Sequence, residues 1–132
     1  MNAKLILFGL LLSGIVILYS VNRYQGTTGP HGGELKAAEN FHIELKEAFP
    51  NLHCYLLDQK LLPVSNVGVL CEIRFFMPDE TTIDIALKPF LNDGFILESN
   101  SIVYNSCKVT FNISGKSISA KFDKENLIAH KK

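Results

Sequence analysis

Residues 41–46 read Phe-His-Ile-Glu-Leu-Lys, and this stretch decides the fold. Apolar and polar side chains alternate through it, which is the period of a β-strand with one buried face. A turn that contains Pro50 and Asn51 follows, and residues 52–58 (LHCYLLD) continue as a second extended run. The two runs therefore predict a β-hairpin.

The same alternation recurs along the rest of the chain, in short runs that are separated by turn residues. The runs are 67–76, 82–87, 95–98, 102–104, 107–113 and 118–122. Regularly spaced short strands predict an all-β fold, a small antiparallel sandwich or barrel of about seven to eight strands. A helix in this part of the chain is expected only around 33–39 or 124–129.

An apolar segment, Leu5–Val21, lies near the N-terminus and contains no charged residue. Its length of about 17 residues suits either a short transmembrane helix or the core of a signal peptide. The residues at its end offer few of the small side chains that a signal-peptidase cleavage site needs. This favours an uncleaved signal anchor over a cleaved signal peptide. The anchor predicts a single-pass inner-membrane protein with a periplasmic C-terminal domain in a Gram-negative bacterium, and cleavage predicts secretion to the periplasm.

These patterns divide the 132 residues into four parts. Residues 1–24 are the signal anchor or transmembrane segment, 25–33 a flexible linker with His-Gly-Gly, 34–123 an extracytoplasmic β domain and 124–132 a tail. Gly and Pro in the linker are typical of irregular chain, so His31 is expected on mobile backbone.

Charge and motifs exclude several function classes. Lys plus Arg and Asp plus Glu number 13 each, which removes the basic footprint of a nucleic-acid-binding protein. The chain has no Gly-x-Ser-x-Gly motif, no Walker loop and no evident nucleophile with its base, so we predict that it is not an enzyme. Cys54, Cys71 and Cys107 each fall on an apolar alternation, which predicts three buried thiols, although one disulfide and one free thiol remain possible.

The polar face of the predicted hairpin gathers side chains that bind metals. Pairing the apolar faces places Glu44 opposite His53, with His42 on a diagonal of about 7 Å from His53. His31 from the linker would complete a set of nitrogen and oxygen donors suited to divalent Cu, Zn, Ni or Co. An ordinary solvated strand face explains the same spacing, and a register slip of one residue would separate the set.

Three motifs together resemble a known domain. Gly-Pro-His-Gly-Gly-x-Leu (29–35), Phe-His-Ile-Glu-Leu (41–45) and Cys-Tyr-Leu-Leu-Asp (54–58) look like the small His-Gly-Gly domain at the N-terminal side of periplasmic adaptor (membrane fusion) proteins of heavy-metal efflux pumps. The resemblance implies an extracytoplasmic β domain that binds or hands on heavy-metal ions through His31, His42 and Glu44. This chain is too short for the hairpin, lipoyl and barrel domains of the full adaptors, so it cannot itself bridge a pump to an outer-membrane channel.

The sequence thus leads to two hypotheses. The first is a membrane-anchored periplasmic heavy-metal-binding module, accessory to metal efflux or homeostasis, whose partners are a metal ion, the membrane and an efflux-pump component. The alternative is a non-catalytic structural or interaction module that docks a membrane protein.

Overall fold

The computed structural model describes residues 28–98 and 100–124, and within them it contains nine β-strands. The strands are β1 (Glu34–Ala38), β2 (Phe41–Ala48), β3 (Asn51–Leu57), β4 (Val69–Phe76), β5 (Thr82–Ala86), β6 (Lys88–Phe90), β7 (Gly94–Leu97), β8 (Ser106–Ile113) and β9 (Lys116–Asp123). All pairings between them are antiparallel, so the predicted all-β class is confirmed.

The predicted membrane segment and most of the predicted tail lie outside the described residues. Within the described part, no helix has the length and apolar character needed to cross a bilayer.

The strands form two sheets. The first has the order β1-β2-β3-β7-β6 and the second the order β5-β4-β8-β9. The chain passes from the second sheet to the first at Leu87, whose backbone N–H donates to the carbonyl of Cys71 at 2.9 Å. The next residue, Lys88, begins β6 in the other sheet.

Alternation of side chains builds the core between the sheets. In β4 the side chains of Val69, Cys71, Ile73 and Phe75 are buried, whereas the residues between them face solvent. The other large core residues come from the inner faces of β2, β3, β7, β8 and β9 and, in the connections, from Leu87 and Tyr104. The hydrophobic effect therefore fixes which face of each strand points inward.

The three cysteines are buried free thiols, as their apolar positions predicted. Cys54 comes from the first sheet, and Cys71 and Cys107 come from the second.

Three short segments differ from the sequence prediction. Residues 34–38, where a helix was considered, form β1, and all five residues pair with β2. Residues 102–104, read as a strand, belong to an irregular connection. β6 was not among the predicted strands; it contains Pro89, which is compatible with a strand at the edge of a sheet, where β6 lies.

The register of the first hairpin also differs from the prediction. Glu44 lies opposite Tyr55 rather than His53, and His42 lies opposite Leu57. The pairing of the two strands is shifted by two residues from the prediction. The same side chains therefore stay on the polar face, but each one has a different partner across the hairpin. His42 is consequently four residues along the ladder from His53, about 13 Å, and not on the expected diagonal.

We predict that the inner face of β4 carries much of the stability. Ile73→Ala should lower the free energy of unfolding by about 2–5 kcal/mol, because it leaves a cavity between the sheets. Leu70→Ala on the exposed face of the same strand is the matched control and should change it by less than about 0.5 kcal/mol. Urea titration measures both values, and similar losses for the two variants would contradict this placement of the core.

Candidate functional site

Residues 29–33 form a hydrogen-bonded turn that lies on the outer face of the first sheet. The N–H of Gly32 donates to the carbonyl of Gly29 at 3.0 Å, and the N–H of Gly29 donates to the carbonyl of Gly33 at 2.9 Å. Pro30 occupies the second position of this turn, where its fixed φ is favourable. Where irregular chain was expected, the structure has a hydrogen-bonded turn, and we name residues 29–33 the His-Gly-Gly turn. Residues 25–27 of the predicted linker lie outside the described part.

The turn closes over the carboxylate of Glu44, which is 0 % exposed. One carboxylate oxygen, Oε2, accepts the backbone N–H of His31 at 2.9 Å and that of Gly33 at 2.8 Å. The other oxygen, Oε1, lies 2.7 Å from Nδ1 of His31. Burying a carboxylate is costly unless donors replace water, and the turn supplies three of them.

Glycines make this close approach possible. A Cβ on Gly29 would lie 2.3 Å from Cδ of Glu44, and a Cβ on Gly33 would lie 2.5 Å from the carbonyl oxygen of Leu45. Gly32 has open space around it, but its φ of +86° is in the left-handed region that glycine adopts without strain. The sequence Gly-Pro-His-Gly-Gly is thus required sterically as well as chemically.

The imidazole of His31 has a fixed orientation. Its ring stacks on the ring of Tyr55 with centroids 3.6 Å apart and an interplanar angle of 4°. Where Oε1 of Glu44 is the acceptor of this hydrogen bond, Nδ1 of His31 carries the proton. The second nitrogen, Nε2, lies 3.4 Å from Oδ2 of Asp93, in the turn between β6 and β7.

His53 lies beside this arrangement on the same face of β3. Its ring meets the edge of Phe90 at 5.1 Å between centroids, and its Nδ1 is buried without a hydrogen-bond partner among the described residues. Burial lowers the pKa of His53, and the nearby charges of Lys46 and His31 lower it further. Burial also raises the pKa of Tyr55, which stands between the two histidines in the stack.

The structure brings some of the predicted site residues together and separates one. His31 and Glu44 are in direct contact, and His53 is their neighbour. His42 lies apart, with Nδ1 at 3.3 Å from the backbone carbonyl oxygen of Asp58. Sequence reasoning missed Asp93, because Asp-Gly at 93–94 reads as turn chemistry and nothing in the sequence indicates that the turn reaches His31.

Within the described part of the chain, no set of three or more His, Cys, Asp or Glu residues is arranged closely enough to hold a metal ion as it stands. The geometry instead offers a pair, Nε2 of His31 and the carboxylate of Asp93. No protein-family model, curated protein or solved structure matches this chain.

We predict that Gly29→Ala destabilises the fold more than Gly32→Ala does. At position 29 the new methyl group overlaps the Glu44 carboxyl and breaks its hydrogen bonds, at a cost of about 2–3 kcal/mol. At position 32 the methyl group meets nothing, and only the left-handed conformation costs about 1 kcal/mol. Urea titration measures the free energy of unfolding of both variants. Equal losses would show that position 29 is not packed against the Glu44 carboxyl.

A second prediction concerns acid sensitivity. The pKa of His53 is lowered in the folded state, so the unfolded chain binds its proton more readily. The stability from neutral His53 is therefore present above about pH 6.5 and is lost as the pH falls through the lower folded value. His53→Gln should lose less stability than the unsubstituted chain between about pH 7 and pH 5. Proton NMR should give a His53 midpoint below about 6.5, the ordinary value for histidine, and a midpoint above it would contradict the prediction.

Proposed function

We propose that this chain is a membrane-anchored periplasmic module that binds a divalent transition-metal ion, with His31 as its principal ligand. The observation that carries the proposal is the hydrogen bond of 2.7 Å between Nδ1 of His31 and the buried carboxylate of Glu44. Histidines that bind metals commonly donate one ring N–H to a carboxylate, which fixes the tautomer and makes the other nitrogen a better ligand. The role is binding and not catalysis.

Nε2 of His31 is the ring nitrogen on the side away from Glu44. It points to the carboxylate of Asp93, and both side chains are partly exposed, so an ion from solution can reach them. Stacking on Tyr55 holds the ring plane in place before an ion arrives. A preset ligand geometry reduces the ordering cost of binding.

His53 is the nearest candidate for a third ligand. Its buried Nδ1 has no partner among the described residues, and its low pKa favours the neutral ring that a metal requires. A donor set of two imidazoles and a carboxylate suits Zn, Cu(II), Ni or Co. Completing the set requires a side-chain movement, since the existing arrangement does not hold three ligands together.

This proposal gives two residues different roles from those that the family resemblance implied. Glu44 has its oxygens occupied by donors from the His-Gly-Gly turn and serves as a positioning residue for His31. His42 is assigned no part in the site, because it faces Asp58. We extend the proposal to a role accessory to metal efflux or homeostasis, with an efflux-pump component as the protein partner.

Calorimetric titration of the full chain in detergent with Cu(II), Zn and Ni tests the proposal. We expect a dissociation constant below about 100 μM for at least one ion at neutral pH. Asp93→Asn should raise this constant by about tenfold, because it removes a charged oxygen ligand. The hydrogen bonds between Glu44 and the His-Gly-Gly turn stay in place in this variant. His31→Ala should raise it at least as much.

His42→Ala is the matched control, since it removes a histidine from the same sheet face but outside the proposed site. Its affinity should equal that of the unsubstituted chain. Absence of binding below about 100 μM, or equal affinity in the His31→Ala and His42→Ala variants, would overturn the proposal. That outcome would favour the interaction module, in which the His-Gly-Gly turn only stabilises the sheet.

A further inference from the structure

One end of the sandwich gathers four turns, and we name it the Leu91 end. The turns are 39–40, 58–68, 91–93 and 114–115. The backbone N–H of Asn66 donates to the carbonyl of Asn92 at 3.0 Å, which joins the second turn to the third. An ion pair of 3.5 Å between Lys116 and Glu39 joins the fourth to the first.

Apolar side chains project into solvent from this end. Leu62, Val67 and Leu91 are 58 %, 85 % and 76 % exposed. Phe49 and Val103 at the opposite end are exposed as well, at 73 % and 66 %, so the choice between the two ends rests on the course of the chain.

Leu91 is held in a costly conformation. Its φ is +56°, in the left-handed region that non-glycine residues rarely adopt. The side-chain amide of Asn66 donates to its carbonyl at 3.1 Å and to that of Gly94 at 3.0 Å, which fixes the turn.

The direction of the backbone at Thr28 bears on which end of the sandwich lies toward the predicted membrane segment. Thr28 forms an antiparallel bridge with Glu34, the first residue of β1. β1 runs from Glu34 toward the turn at 39–40, which belongs to the Leu91 end. Because the bridge is antiparallel, the backbone at Thr28 runs in the direction opposite to β1, that is, away from the Leu91 end.

The length of the intervening sequence sets a limit on the distance to the membrane. Six residues, 22–27, separate Thr28 from the end of the apolar segment at Val21. Six residues span at most about 20 Å, and the five residues of β1 rise by about 16 Å. A fully extended connection of this length can reach the level of the Leu91 end.

We propose that the Leu91 end rests on the bilayer surface, with Leu62, Val67 and Leu91 inserted among the lipid headgroups. This inference depends on the membrane anchor in the proposed function, and its 91–93 turn also carries Asp93, the carboxylate of the proposed metal pair. Lys60 and Lys116 lie at this end together with Glu39, Asp58 and Asp93, so the proposed contact is made by the apolar side chains and not by a cationic patch. The opposite end of the sandwich, with the connection that carries Val103, faces away from the bilayer.

The chain has no tryptophan, so a single introduced indole reports on one position. Leu91→Trp and Val67→Trp place it at the proposed contact, and Val103→Trp places it on an exposed residue of the opposite end. Each full chain is reconstituted into vesicles of phosphatidylcholine and phosphatidylglycerol that carry a quencher at headgroup level. A carbonate wash before the measurement checks that the chain is held by its anchor.

We expect the indoles at 67 and 91 to be quenched at least about twofold more than the indole at 103, with emission shifted to the blue. Two positions are used because the left-handed conformation at 91 makes that variant the less certain to fold. Equal quenching at all three positions, or stronger quenching at 103, would overturn the orientation. Release of the chain by the wash would overturn the anchor and the orientation together, whereas the metal titration stands or fails separately.

Discussion

The carboxylate of Glu44 is buried on the outer face of a sheet, and the arrangement around it follows from the need to keep it hydrogen-bonded. Water is excluded from it, so its oxygens need donors at short distance. Two backbone N–H groups and an imidazole of one short turn meet that need. The turn can approach so closely only because Gly29 and Gly33 have no side chain. The position of His31 is thereby determined by the solvation requirement of another residue.

This constraint extends across the first sheet. His31 covers Tyr55, and Tyr55 lies flat against Gly94, where a Cβ would lie 2.8 Å from its ring. Gly94 follows Asp93, so the β6–β7 turn is held beside the second nitrogen of His31. The inner face of the same sheet packs into the main core. A loop residue is thus supported by rigid strands, which is the arrangement that a precise binding group requires.

The sequence was sufficient for the strands of the main core, because hydrophobic alternation determines which face is buried. It was not sufficient for the register of the β2–β3 hairpin, since a shift of two residues keeps the same face inward. The structure pairs Ala48 with Asn51 across a two-residue turn, which extends the ladder further than the predicted pairing does. Of the candidate site, His31 and Glu44 could be found from their motifs. Asp93 could not, because its contact with His31 depends on tertiary structure.

Burial of the three cysteines slows their reaction with thiol reagents. Their thiols lie in the core between the sheets, and burial raises the pKa of Cys54 and of Cys107. A thiol reagent needs an accessible thiolate, so it reacts slowly with these groups while the sheets remain together. Cys54 is in one sheet and its neighbour Cys71 in the other, so modification of either reports separation of the two layers. The rate at which a reagent modifies these cysteines, followed by mass spectrometry, therefore measures how often the two sheets separate, and no label site has to be introduced.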